Sequence, residues 1–315
     1  MSPVVARSAY LKLRSLVRAL VTRHPRIDLA LGRALVKIDL AARRIGLVDV
    51  LGGTSTFDYD GLHFEFDAAN RDIGGTVLTN GDYEPATTAA ILRTLRFGGS
   101  FVDLGANIGF FTLLAARAVG AAGRVYAFEP APRTLAVLRR NLAINGLLPR
   151  VTVEECAISD FEGTTRFLVM PASQGSSVAA AGDTSGQPVE VRVTTLDKYF
   201  ATAGWPPVEL LKMDIEGQEL KAFRGMRELI RRNAGITVVF EYHLEQIQRF
   251  GHSGRDLIQA ARDTGLDRFM LLFRRSELIS LPQEMARLDA VATRANVNLM
   301  ATVAAEPAEP GGSLG

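Results

Sequence analysis

Residues 100–109 read Ser-Phe-Val-Asp-Leu-Gly-Ala-Asn-Ile-Gly, and this stretch decides the fold. Residues 100–104 form a short, largely apolar run with strand character. Gly105 breaks it, and residues 109–119 continue with helical spacing. A strand that passes through glycines into a helix presents the free N–H groups of the helix start beside the strand end. Asp103 stands at that strand end. Twenty-six residues later, where a second strand over 124–128 stops, stands Glu129. A carboxylate there is placed to accept hydrogen bonds from both hydroxyls of a ribose.

Working outward, the alternation persists. A helix is predicted over 132–144 and stops at Asn145-Gly146. Strands are predicted over 151–154 and 164–169, followed by a loop over 171–188 rich in Ser, Gly, Ala and Gln. A strand over 208–213, a helix over 217–232 and a strand over 236–241 follow, the two strands being expected neighbours. A helix over 255–264 and strands over 269–273 and 297–303 complete the series. Strands alternating with helices at this spacing predict a parallel sheet covered by helices on both faces. Upstream, residues 57–66 read as a hairpin turned at Asp60-Gly61, and Pro85 opens a helix. No internal repeat is visible.

The first 47 residues differ in character. Leu13, Leu16, Val17, Leu20 and Val21 make one helical stripe, and Leu31, Leu35, Ile38 and Ile45 a second. Residues 1–50 hold ten Lys or Arg against three Asp, a net +7, so the remainder of a chain with net charge +2 carries −5. Two basic amphipathic helices are expected here. They would cover an acceptor pocket, rest as a peripheral contact on an anionic membrane surface, or pack together with their charges solvated. The predicted organisation is a basic helical segment over 1–55, a catalytic domain over 56–303 and a disordered tail over 304–315.

Composition narrows the classes. Of 315 residues, 47% are hydrophobic and 22% charged, which excludes wholesale disorder. A net charge of +2 gives no electrostatic footprint for nucleic acid. The single cysteine, Cys156, builds neither a disulfide framework nor a Cys-rich zinc site, and it reads as a small buried hydrophobe in a reduced, cytoplasmic protein. No apolar run approaches the ~18 residues needed to span a bilayer. The N-terminal charges are too closely spaced for a signal-peptide core.

The glycine spacing separates two ligand classes. A dinucleotide dehydrogenase carries Gly-x-Gly-x-x-Gly, tightened for a pyrophosphate. Here Gly105 and Gly109 are separated by three residues, Ala106 lies where a further glycine would, and anionic Asp103 repels phosphate but suits a cation. S-adenosylmethionine, with its ammonium and sulfonium, is such a ligand. An NAD-dependent oxidoreductase, a tight turn holding no ligand and an inactive binding protein of the same fold are the alternatives.

The sequence resembles the FkbM family of S-adenosylmethionine-dependent methyltransferases. The resemblance rests on Tyr83-Glu84, residues 103–109, Phe128-Glu129-Pro130, Asn141, Asn145, Ala157, Ser176-Ser177, Thr195-Leu196-Asp197, residues 212–219 (Lys-Met-Asp-Ile-Glu-Gly-Gln-Glu) and Glu241-Tyr242-His243, and so covers about residues 80–245. It implies a class I methyltransferase fold: a Rossmann-like, mostly parallel doubly wound sheet with an antiparallel final strand. It implies O-methylation of a hydroxyl on a sugar, glycan or natural product. Carried over by position, Glu84, Asp103, Gly105, Asn107, Gly109 and Glu129 hold the cofactor, and the stretch around Cys156-Ala157 flanks its adenine.

A hydroxyl is a poor nucleophile until its proton is taken, so a general base or a metal is expected at the acceptor end. Asp214 and Glu216 follow the strand over 208–213, and Glu241 and His243 end the strand over 236–241. Any of the four is a candidate base, and Asp214, Glu241 and His243 are the candidate ligands of one Mg or Mn ion. Nitrogen methylation of the kind that uses Asn/Asp-Pro-Pro-aromatic after this strand is disfavoured, since Asp214-Ile215-Glu216-Gly217 occupies that place. The acceptor's identity and the oligomeric state are not encoded in any motif.

Overall fold

The computed structural model describes residues 54–67, 72–170, 176–180, 183, 186–273, 275–295 and 297–303. The expected N-terminal helices and the expected tail lie outside these residues, as does half of the expected loop over 171–188. Two compact units divide the described chain, the first holding 54–85 with Met170 and the second the rest.

In the first unit, β1 (Thr54–Tyr59) pairs antiparallel with β2 (Leu62–Asp67), with Tyr59 opposite Leu62. Asp60 and Gly61 form the two-residue turn, both left-handed at φ 48° and 73°, the geometry that matches strand twist. Phe57 and Phe64 stack at 4.8 Å between ring centroids. The helix α1 (Asp72–Asn80) packs on β1, and Gly74 lets it approach, because a Cβ there would meet the Phe66 ring at 2.5 Å.

The second unit begins with α2 (Pro85–Thr94), apart from its first residue. It continues through β3 (Ser100–Leu104), α3 (Phe110–Val119), β4 (Arg124–Phe128), α4 (Pro132–Ile144) and β5 (Val151–Glu154). After β6 (Ala157–Ile158), β7 (Gly163–Val169), β8 (Ser177–Val178) and β9 (Gln187–Thr194) come α5 (Leu196–Thr202) and β10 (Leu210–Met213). Next are α6 (Glu219–Arg224), α7 (Arg227–Arg232), β11 (Thr237–Tyr242), α8 (Leu244–Arg249) and α9 (Gly254–Arg262). The series ends with β12 (Arg268–Phe273), β13 (Arg275–Ile279), α10 (Met285–Ala292) and β14 (Val297–Thr302).

The central sheet runs β13-β12-β14-β11-β10-β3-β4-β5. Strands β3, β4, β5, β10 and β11 are mutually parallel, and β14 lies antiparallel between β11 and β12. This is the expected doubly wound sheet with a reversed final strand, extended at one edge by β13. From β3 the chain moves outward one way through β4 and β5, then returns to build β10 and β11 on the other side. The carboxyl ends of β3 and β10 therefore flank the switch point, where open α/β sheets form their crevice. One face buries Val102, Leu104, Leu211, Met213, Phe240 and Tyr242 in the main core with α5, α6, α7 and α9. The alternate residues, Asp103 and Lys212, meet α3 on the other face.

Three expectations are corrected. The segment 217–232 is two short helices, broken at Gly225, where a Cβ would collide with the Ser159 carbonyl. The strand over 164–169 does not extend the main sheet but joins a separate four-stranded sheet, β6-β9-β7-β8. The loop over 171–188 contains β8 and the start of β9. The elements α1, α5, α8, α10, β6, β9 and β13 had no counterpart in the sequence reading.

Candidate functional site

Past the end of β3 the backbone turns sharply. Gly105, Asn107 and Gly109 are all left-handed, at φ 74°, 52° and 92°. The glycines answer to the protein itself. A Cβ on Gly105 would collide with the Asp214 carbonyl, and one on Gly109 would lie 2.5 Å from Leu138 Cδ1. Gly105 thus lets the loops after β3 and β10 touch. Asn107 tolerates its conformation because its Oδ1 accepts the Ile108 N–H at 2.8 Å.

Two carboxylates flank this turn, both buried. Glu129 is a hub: its Oε2 accepts the Asn107 N–H at 2.9 Å and its Oε1 the Ala131 N–H at 2.8 Å. Burial pushes its carboxyl up to about 7, against the pull of those two N–H groups. Each oxygen retains lone-pair capacity for a further donor. Asp103 Oδ2 accepts the Thr112 hydroxyl at 2.5 Å. Its Oδ1, also buried, has no hydrogen-bond partner among the described residues, and Lys212 Nζ stands 3.9 Å from it. Burial raises the Asp103 carboxyl, opposed by Lys212 and Thr112.

Lys212 was part of the family pattern but carried no role in the sequence reading. It is opposite Asp103 in the parallel register, buried, 3.4 Å from Asp214 Oδ2 and 5.0 Å from the Phe111 ring centroid. One ammonium thus sits between two carboxylates. Glu219, equally unassigned, is buried with Oε1 accepting the Ile215 N–H at 2.9 Å, and burial pushes it up to about 8. It shapes the loop after β10.

A cleft opens here. Gly105, Glu129 and Asp214 line it, with Phe128, Pro130, Cys156, Ala157, Ile158, Phe167, Val178 and Gln218 forming much of its wall. Cys156 is the expected buried thiol, raised to about 11 by burial. Gln218 Nε2 is buried without a hydrogen-bond partner among the described residues. Gln218 and Phe167 were not expected site residues. Nothing in their spacing marks them, because the wall is assembled from separate elements.

The acceptor-end candidates are only partly brought together. Asp214 lines the cleft; Glu216, Glu241 and His243 do not. Glu216, left-handed at φ 57°, accepts from Gln246 Nε2 at 3.2 Å. His243 is half-buried and caps α8, its carbonyl accepting the Ile247 N–H at 3.0 Å. Strands β10 and β11 are adjacent as expected, but among the described residues no three His, Cys, Asp or Glu side chains stand close enough to share an ion. Asp214, Glu241 and His243 are therefore not a ligand set here. Glu84 belongs to the first unit and is left-handed at φ 43°. Among the described residues, no helix is long and apolar enough to cross a membrane.

Known proteins are similar to this chain. The methyltransferase sdnD of Sordaria araneosa is 33% identical over 156 residues, 40% of this chain and 60% of that one. The 31-O-demethyl-FK506 methyltransferase FkbM of Streptomyces tacrolimicus is 29% identical over 163 residues, 42% of this chain and 62% of that one. The chain thus spans less than two thirds of the curated relatives it matches. A solved S-adenosylmethionine-dependent O-methyltransferase from Thermotoga maritima aligns with a TM-score of 0.41 at 14% identity, covering 81% of this chain and 79% of that one. The family model of the methyltransferase FkbM domain matches residues 103–267, just over half of the chain and the whole span from Asp103 through Glu129, Lys212 and His243. The chain belongs to the FkbM methyltransferase-domain family.

Proposed function

We propose that the chain is an S-adenosylmethionine-dependent O-methyltransferase whose acceptor is a hydroxyl of a sugar, glycan or natural product. The observation that carries this reading is the pair of buried carboxylates, Asp103 and Glu129, at the ends of neighbouring parallel strands beside the turn at Gly105, with Glu129 lining the cleft. The residues fit the cofactor. Asp103 has an unfilled buried oxygen for a cationic group, and Glu129 has two oxygens with capacity for ribose hydroxyls. The alternative of an NAD-dependent oxidoreductase falls with the family assignment.

S-adenosylmethionine supplies a methyl group on a sulfonium, already activated for displacement. The protein's task is alignment and removal of the acceptor's proton. Asp214 is ion-paired with Lys212 at 3.4 Å and Glu216 accepts from Gln246, so both carboxylates are already engaged by the protein. We assign the base to His243, which follows β11, the strand beside β10, and whose imidazole nitrogen can accept the hydroxyl proton. The oxygen acceptor is supported by the Streptomyces tacrolimicus relative, a methyltransferase of a 31-O-demethyl compound.

The test is transfer of labelled methyl from S-adenosylmethionine to free glycosides, nucleotide-sugars, envelope glycans and polyhydroxylated natural products. Label on a hydroxyl supports the reading. Label confined to amines, or none on any acceptor, overturns it.

A further inference from the structure

The side-chain donors lining the cleft are few: the Ser176 hydroxyl, the Cys156 thiol and the Gln218 amide. The cleft's side-chain groups at the Glu129 and Asp214 positions are acids, which accept hydrogen bonds when ionised and serve ligand hydroxyls and cations. Most of the wall is apolar, with Phe128, Ile158, Phe167 and Val178 bounding a slot suited to a flat ring. A purine ring also carries in-plane nitrogens that only accept. Gln218 stands on this wall, 3% exposed, and its Nε2 lacks a partner among the described residues. A buried amide donor left unpaired is costly, and a ligand acceptor would satisfy it.

We infer that the Gln218 carboxamide reads the edge of the cofactor's adenine, Nε2 donating to a ring nitrogen while Oε1 accepts from the exocyclic amine. The inference rests on the cofactor reading above. The ligand atom is a neutral aromatic nitrogen rather than the cofactor's carboxylate. A carboxylate calls for a cation or a helix N-terminus, and Gln218 offers a neutral amide amid apolar side chains and two acids. The carboxamide suits adenine because one planar group offers a donor and an acceptor side by side, as Asn and Gln do when they pair with adenine in nucleic acids. A half-turn of the group exchanges its two ends without moving the backbone. Gln218 lies just before α6, at the end of the loop from Asp214, far from Ala157 in sequence but lining the same cleft.

The experiment is calorimetric titration of S-adenosylhomocysteine and of 5′-methylthioadenosine into the full chain, as wild type, Gln218→Leu and Gln218→Met. Both ligands carry adenine; only the first carries the amino-acid portion. Each variant should bind both ligands about 5- to 150-fold more weakly, the value of two neutral hydrogen bonds. The ligand-free melting temperature should stay level or rise, because an unpaired buried donor has been removed. A structural glutamine would instead lower it. Should one variant fail to fold, the other carries the same comparison. Unchanged affinity in a folded variant overturns the inference while leaving the cofactor reading intact. Weakening toward S-adenosylhomocysteine alone also overturns it, since the contact would then be to the amino-acid portion. If the wild type binds neither ligand, the cofactor reading fails and takes the inference with it.

Discussion

Replacing Glu129 by glutamine tests the ribose assignment, and the structure sets what to expect. Both carboxylate oxygens already accept a backbone N–H, from Asn107 at 2.9 Å and Ala131 at 2.8 Å. Alanine would orphan both donors at about 1–3 kcal/mol each, so its effect on binding would be confounded with damage to the turn. Glutamine keeps the shape but sets an NH2 against one of those N–H groups. It also removes the charge that strengthens any hydroxyl contact. A hydrogen bond to a charged group contributes about 1.5–3 kcal/mol, so S-adenosylhomocysteine should bind roughly 10- to 150-fold more weakly. The contact is isolated by a cycle in which the ligand is also changed, to its 2′,3′-dideoxy analogue. Calorimetry should show the wild type losing affinity for the analogue and the Glu129→Gln protein losing little more. If the variant discriminates between the two ligands as strongly as the wild type does, Glu129 does not hold the ribose.

Further outcomes follow from the same geometry. Asp103→Asn should weaken S-adenosylhomocysteine about 10-fold or more while barely affecting 5′-methylthioadenosine, which lacks the ammonium; equal effects on both ligands would contradict the role of Oδ1. His243→Ala should lower turnover about 10²–10⁴-fold with cofactor affinity unchanged, and activity that survives would move the base to Asp214, Glu216 or Glu241. Gly105→Ala should destabilise the fold by more than about 2 kcal/mol in denaturant melts, since it combines a left-handed residue with a Cβ driven into the Asp214 carbonyl. Glu129 and Glu219 are raised from 4.5 to about 7 and about 8, so the folded state binds their protons more tightly than the unfolded one. Their contribution to stability is complete below pH about 4.5 and is lost as pH rises toward 8. Glu219→Gln should therefore gain stability relative to wild type at pH 8 and lose that advantage near pH 4.5; the reverse order would contradict the buried, protonated carboxyl.

The run from β3 to β5 was legible to the residue at most of its boundaries. Strand β3 is buried throughout and β4 is mostly buried, and glycine, proline or Asn-Gly stands between the elements. Gly146, left-handed at φ 66°, ends α4 where the sequence places the stop. The antiparallel strand β14 was located as a strand, and its reversed direction came from family resemblance. What was not legible depends on distant partners. Strand β9 alternates exposed and buried residues in a polar segment and becomes a strand by pairing with β7 across a long loop. The break at Gly225 reflects the Ser159 carbonyl, more than sixty residues away. In the site, Asp103 and Glu129 were visible because strand ends carry ligand groups in this topology. Lys212 was not, because a lysine inside an apolar strand acquires meaning only when the register sets it beside Asp103. Gln218 was hidden likewise, its wall being assembled by the fold.

A crystal structure of the full chain grown with S-adenosylhomocysteine tests the central claim most directly. The account predicts ligand density in the cleft bounded by Gly105, Glu129 and Ala157. The ribose hydroxyls should lie within hydrogen-bond distance of Glu129, and the ammonium should be directed to Asp103 Oδ1. Density at any other place on the chain, or an adenosyl group in this cleft with its ribose turned away from Glu129, would contradict it.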